Sequence, residues 1–320
     1  MSASDRPIVV AVEDTGHSAD AIALADRLAE SLGAPLLLVH THPSEDLLRV
    51  LDQGEYEQIV HSTLDSTFFQ VQELVAGNRE REMRVMPASS PAAGLQEIAE
   101  RQAARLIVVG PSHRSGPGRV QPGSVGERLL SGAPAPVAIA PRGYADSERR
   151  LEQVATAFDG SPESSQALEW AAKIAQNPEA RLRVVSVHAP IAFPHVSARG
   201  AFAGESVSRA LRRELLQQHA AAIAAHGDSA DGILRDGDPA TVLVDASRDA
   251  DVLVMGSRGY GPLRAVLLGS VSQAVIRRAT CPIVVVPRAA AREHELRSWA
   301  APLDDPLTQE PSELLHAAAA

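Results

Sequence analysis

Val252-Leu253-Val254-Met255-Gly256-Ser257-Arg258-Gly259, followed after nine residues by Gly269-Ser270-Val271-Ser272, is the stretch on which the reading of this chain turns. An apolar run of strand length ends in glycine, a glycine-bearing loop follows, and a Gly-Ser pair opens a segment of helical period. The spacing is Gly-x2-Gly-x9-Gly-Ser. In an open parallel sheet, ligands bind beyond the carboxyl ends of the strands, where the strand order reverses. Glycines there let the backbone turn tightly and come close to a ligand. A helix starting at Ser270 offers free N–H groups and the positive end of the helix dipole to an anion. Arg258 and Arg264 lie in the same loop and supply charge for a phosphate. By itself the spacing indicates an anion cradle.

The same stretch occurs earlier in the chain. Leu106-Ile107-Val108-Val109-Gly110 precedes Val252–Gly256 by 146 positions, Gly123-Ser124-Val125 precedes Gly269-Ser270-Val271, and Ala135–Pro141 precedes Cys281–Pro287 by the same offset. Glu13 and Asp159 also stand 146 apart, whereas Val39-His40 and Pro91-Ala92 match Val187-His188 and Pro239-Ala240 at 148. Small length changes enter and cancel, so one unit of about 140 residues is duplicated. The polar stretch Gly143–Arg150 reads as the linker.

Each unit alternates short β-branched runs with longer segments of helical period, which is βαβ order. The expected strands are Ile8–Val12, Leu36–His40, Arg84–Met86, Leu106–Val109 and Val137–Ala140, then Val154–Phe158, Leu182–His188, Gly232–Leu234, Asp251–Met255 and Ile283–Val286. Expected helices of the second unit are Ser164–Ala175, Ser206–Ala225, Thr241–Ser247 and Ser270–Arg278. Several strands are apolar throughout, which argues for a parallel sheet covered on both faces. The boundaries expected are 1–145, 146–288 and a tail at 289–320. That tail carries six acidic and two basic residues with Pro302, Pro306 and Pro311, and reads as mostly disordered with a short helix near Arg292–Trp299.

Composition excludes several classes. With 320 residues, 45% hydrophobic and 22% charged, the chain is an ordinary globular one. A net charge of −10 opposes non-specific binding to nucleic acid or anionic membrane, and 3% aromatic residues leave little for base stacking. No run of about 18 apolar residues occurs and Met1–Pro7 has no apolar signal region, so a cytoplasmic location with no membrane partner is expected. The single cysteine, Cys281, permits no intrachain disulfide and reads as a buried small hydrophobe. Lys173 is the only lysine and sits mid-helix, which removes Walker-loop and Schiff-base chemistry. His40-Thr41-His42 invites a metal reading, but no carboxylate or cysteine cluster supports it. No catalytic constellation stands out, so no catalytic residue is assigned.

These motifs resemble the universal stress protein family, over roughly Pro7–Pro141 and Leu151–Pro287. The resemblance rests on the glycine pattern, on Asp159 ending the first strand of the second unit, on His188 ending its second strand, and on Gly237-Asp238-Pro239-Ala240 opening its third helix. It implies two tandem Rossmann-like α/β domains, each a five-stranded parallel sheet with helices on both faces. It also implies an adenine nucleotide, ATP with Mg2+, as cofactor of a regulatory stress-response protein. Asp159 and Ala189 would face adenine and ribose, Gly256, Arg258 and Gly259 would line the loop, and Gly269, Ser270, Val271 and Ser272 would hold ribose and phosphates. The first-unit counterparts are Glu13, Thr41, Gly110, Gly123, Ser124 and Val125. In the family the last strands pair across a two-fold axis. Here Val137–Ala140 and Ile283–Val286 would pair within one chain as a pseudo-dimer, with further homodimerisation left open. Slow ATP hydrolysis, adenylate transfer and a nucleotide-free scaffold remain as alternatives.

The first unit departs from the pattern. His113 stands where the second loop glycine belongs, and Glu13 replaces the aspartate. Gly116, Gly118, Arg114 and Arg119 keep its loop glycine-rich and basic, so a rearranged site is one reading and loss of binding the other. Asp159 has a second reading as a helix cap.

Overall fold

The computed structural model describes residues 6–13, 17–44, 81–147, 149–190, 198–257 and 269–287. In chain order the elements are β1 (Ile8–Ala11), α1 (His17–Leu32), β2 (Leu36–Pro43), β3 (Arg81–Ala88), α2 (Pro91–Arg101), β4 (Leu106–Val109), α3 (Ser124–Leu130) and β5 (Val137–Ile139). The second half follows with β6 (Gln153–Ala157), α4 (Pro162–Ile174), β7 (Arg181–His188), α5 (Ala198–Ala224), β8 (Ala230–Asp236), α6 (Pro239–Ala246), β9 (Val252–Gly256), α7 (Ser270–Arg278) and β10 (Ile283–Val286). The expected strands β3 and β8 are longer than their apolar cores, because both lie at sheet edges where polar residues are tolerated.

Capping residues set the helix starts. Ser90, Ser161 and Asp238 each accept a hydrogen bond from the backbone N–H three residues on, and each is followed by proline at the first helical position. Ser161, two residues after Asp159, is therefore the cap of α4, and Asp159 holds the Ser161 hydroxyl. α7 begins at Gly269 with no side-chain cap.

All ten strands join one sheet in the order β3-β2-β1-β4-β5-β10-β9-β6-β7-β8. Within each half the neighbours are parallel. At the centre β10 and β5 run antiparallel, with Ile283 opposite Ile139, Val284 opposite Ala138 and Val285 opposite Val137. The expected pairing of the two last strands inside one chain is thus present. Val137, Ala138, Ile139, Ile283, Val284 and Val285 are all at most 2% exposed, so an apolar edge that would invite aggregation is closed.

Strand alternation then builds two cores, one on each face, and both run through the seam. Ile8, Val10, Ala138, Val154 and Val284 belong to one, and Val9, Val137, Ile139, Leu253, Ile283 and Val285 to the other. The linker is pinned as well. Buried Asp20 on α1 accepts from the backbone N–H of Gly143 and Ala145, at 3.0 and 2.9 Å. Tyr144 is buried in the shared core with the Arg27 guanidinium 4.4 Å from its ring centroid. A polar stretch read as a plain linker therefore contributes a core aromatic. The expected tail and its short helix lie outside the described residues.

Candidate nucleotide site

The strand order reverses between β1 and β4 in the first half and between β6 and β9 in the second. Beyond each switch point, at the carboxyl ends of the strands, the chain leaves a cleft. The second-half cleft has a volume of about 370 Å3. Asp159, Ala189, Gly256, Gly269, Ser270, Val271 and Ser272 all line it, so seven residues spread over more than 110 positions converge on one cavity. β6 delivers Asp159, β7 delivers Ala189, β9 delivers Gly256, and the first turn of α7 delivers the rest. Arg258 and Gly259, and with them Arg264, lie outside the described residues.

Two features give this cleft its character. A Cβ on Gly256 would stand 2.7 Å from the Glu163 carbonyl oxygen, so glycine is required here for the first turn of α4 to approach β9. The same closeness brings the α4 start to the cleft wall. The uncapped first turn of α7 presents backbone N–H groups there, while the Ser272 hydroxyl reaches the Gly256 carbonyl at 3.4 Å. Phe158, Val185, Val187, Leu243 and Met255 make an apolar wall opposite the polar helix start. A planar apolar group carrying an anion at one end fits that division.

The first-half cleft is larger, about 520 Å3, and differently furnished. Glu13, Gly110, Gly123, Ser124 and Val125 line it, together with His113 and Arg114. Thr41 does not. β2 continues to Pro43, beyond the point where β7 stops at His188, and the Thr41 side chain packs against Gly94 of α2 instead. A Cβ added at Gly94 would lie 2.8 Å from the Thr41 methyl, which shows how close that contact is. Across the cleft the His113 Nε2 lies 3.5 Å from the Glu13 carboxylate, so the two residues that break the glycine and aspartate pattern face each other. Arg119 leaves the cleft altogether and donates to the Arg278 carbonyl of α7 at 2.8 Å.

The comparisons with known proteins agree with this geometry. The model of the universal stress protein family matches residues 6–141 and again 151–287. The chain belongs to the universal stress protein family. Its two matched stretches make it a tandem member, with one family unit in each half of the sheet. A universal stress protein from Mycobacterium tuberculosis is 28% identical over 206 residues, covering 62% of this chain and 69% of that protein. One from Thermus aquaticus is 33% identical over 138 residues, 42% of this chain and 98% of the relative. A crystal structure of a universal stress protein from Archaeoglobus fulgidus shares the fold at a TM-score of 0.63, with 20% identity, over 88% of this chain and 98% of that one.

Sequence reading missed the apolar wall and Glu163. Phe158, Val187 and Leu243 look like core residues in any periodicity count, and only the strand ends reveal that they border a cavity. Glu163 lies in the first turn of α4, four positions after Asp159, and no motif marks it. The burial expected of Cys281 is present, and desolvation pushes its thiol up to about 12, which makes it inert. Both histidines of His40-Thr41-His42 use Nδ1 on backbone carbonyls, of Val12 and Pro43, and among the described residues no group of three or more metal-ligating side chains forms. Among the described residues, no helix is long and apolar enough to cross a membrane.

Proposed function

We propose that this universal stress protein binds one adenine nucleotide, ATP accompanied by Mg2+, in its second-half cleft and acts as a nucleotide-responsive regulator in the cytoplasm. The observation carrying this reading is the convergence of Asp159, Ala189, Gly256 and the Gly269–Ser272 helix start on one cavity at the strand switch point. Arg258 and Gly259 complete the cradle in this proposal. Residues 1–145 and 146–288 are taken as the two domains. The first contributes a cleft crossed by Glu13 and His113, which does not hold ATP.

Bound ATP stabilises the native state by mass action, and that is its main effect here. Hydrolysis requires a base to position water and a way to spread charge on the phosphoryl group. Glu163 is a carboxylate on the cleft wall, and it keeps slow turnover as a second reading. Turnover is expected far below the roughly 1 to 100 per second of kinases.

Mass spectrometry of small molecules released from the denatured, purified protein tests the binding reading, with an adenine nucleotide expected. Calorimetric titration should then give one site per chain. That site should be lost when Gly259 is replaced by valine and kept when His113 is. Phosphate release under excess ATP decides the second reading: robust turnover abolished by Glu163→Gln would make the protein an enzyme.

A further inference from the structure

Away from the cleft, at the outer edge of the second half, β7, β8 and α5 bring together Ser208, His188, Asp236 and Arg212. The parallel register places His188 beside Asp236 at the ends of neighbouring strands. Strand alternation turns the His188 side chain to the α5 face, whereas Val187 and Ala189 line the nucleotide cleft. His188 Nδ1 lies 3.1 Å from Asp236 Oδ1, and Ser208 Oγ lies 3.3 Å from His188 Nε2. Arg212 binds the same carboxylate with Nε and Nη2, at 2.8 and 3.1 Å.

These contacts fix the direction of each proton. A carboxylate only accepts, so the hydrogen between His188 and Asp236 sits on Nδ1. Nε2 of the neutral ring is then an acceptor, and the Ser208 hydroxyl donates to it. Arg212 holds the Asp236 carboxyl below its ordinary value, so it stays ionised near neutrality. The imidazole is only 9% exposed, whereas Ser208 on α5 is half-buried.

We propose that Ser208, His188 and Asp236 form a nucleophile, base and orienting carboxylate that react with small activated carboxylic esters, independently of nucleotide binding. Ser208 Oγ attacks the ester carbonyl carbon while its proton passes to His188 Nε2. The bond from that carbon to the leaving oxygen breaks, and His188 returns the proton to the departing alkoxide. Water then attacks the acyl-serine, with His188 again taking a proton and returning it to Ser208 Oγ, which releases the carboxylic acid. Arg212 lies one helical turn from Ser208 on the same face, and its Nη1 is the donor for charge developing on the carbonyl oxygen.

The test uses the full chain with a fluorophosphonate probe and, separately, p-nitrophenyl acetate. One adduct per chain at Ser208 is expected by peptide mapping, together with a burst of p-nitrophenolate. Ser208→Ala should abolish both while leaving thermal unfolding and ATP titration unchanged. His188→Gln should slow labelling at least ten-fold, and Asp236→Asn, at a half-exposed position, serves the same purpose if His188→Gln does not fold. A folded protein with no adduct at Ser208 overturns the proposal. So does labelling whose rate is unaffected by either variant, because a merely structural tie between α5 and the strands would alter stability and not reactivity.

Discussion

The two clefts descend from one repeated unit and occupy the same place in the fold, yet they are lined differently. Both helix starts, at Gly123 and Gly269, lack a side-chain cap, but the second cleft has an apolar wall and Gly256 allows α4 to close in. In the first, His113 and Glu13 reach toward each other across a larger and more polar space. The first-half loop is also tied to its surroundings: Ser112 N–H donates to the Gln121 carbonyl, Gly118 N–H to the Arg142 carbonyl, and Arg142 to the Ser115 carbonyl. Arg119 extends this fastening to the far half. In the first half, the position of the second loop glycine is thus occupied by a histidine facing Glu13, and Arg119 is spent on a contact with α7.

The largest test of the comparison is at the seam, where the halves meet as equals. Val285→Asp places an unpaired charge between β10 and β5, and a loss of about 3 to 5 kcal/mol in chemical denaturation is expected, with an expanded small-angle scattering profile. The same change at Val85, 36% exposed on the outer strand β3, should cost less than about 1 kcal/mol. Similar losses at the two positions would mean that the seam is not where the halves are held.

Next in size is the pair of glycines. Gly256→Ala forces a methyl into the Glu163 backbone and should destabilise by about 1 to 3 kcal/mol, with nucleotide affinity falling as α4 withdraws. Gly123→Ala meets nothing nearer than 3.7 Å and should stay within about 1 kcal/mol of the wild type. Equal effects in thermal unfolding would remove the distinction between the two cleft walls.

A smaller effect belongs to the clasp. Arg119→Ala removes an exposed hydrogen bond to the last turn of α7 and should cost about 0.5 to 1.5 kcal/mol. It should leave ATP stoichiometry at one per chain, whereas loss of the nucleotide site would show that the first-half loop supports α7.

The smallest effect is on acid stability. The Asp231 carboxyl is held below its usual value by its hydrogen bonds with Arg183, at 2.7 and 2.9 Å. A depressed folded-state value contributes stability that is present above the unfolded carboxylate range, near pH 4, and lost as pH falls through the folded value. Asp231→Asn should therefore lower the melting temperature slightly at pH 7, where the carboxylate is ionised and paired, and the difference from wild type should vanish as pH falls below the carboxylate range. Because the pair is partly exposed, added salt should shrink the difference.

Much of this molecule is legible from residues alone, and the pattern of success has a physical basis. The strands β1, β4, β9 and β10 declare themselves because burial on both faces demands continuous apolar runs. The 146-residue offset exposes the duplication, and the edge hazard of Val137–Ile139 and Ile283–Val286 anticipates their pairing. Thr41 lies outside the first cleft because an offset match assumes equal strand lengths, and β2 runs on where β7 stops. Arg119 was read as a loop cation because its partner, the Arg278 carbonyl, is 159 positions away.

The sequence by itself determined what depends on local pattern: the α/β class, two repeated units, a glycine-lined loop complete in the second and interrupted in the first, and a chain without cysteine pairs. Each of these follows from periodicity, spacing or residue type, which are properties of neighbours along the chain. Only the tertiary structure decided that Tyr144 of the linker is core, that Glu13 and His113 meet across a cleft, that Gly256 serves the approach of α4, and that Ser208, His188 and Asp236 come together. Those are contacts between distant segments, set by how twisted strands and helices pack against one sheet, and no local preference encodes which distant side chain will be opposite.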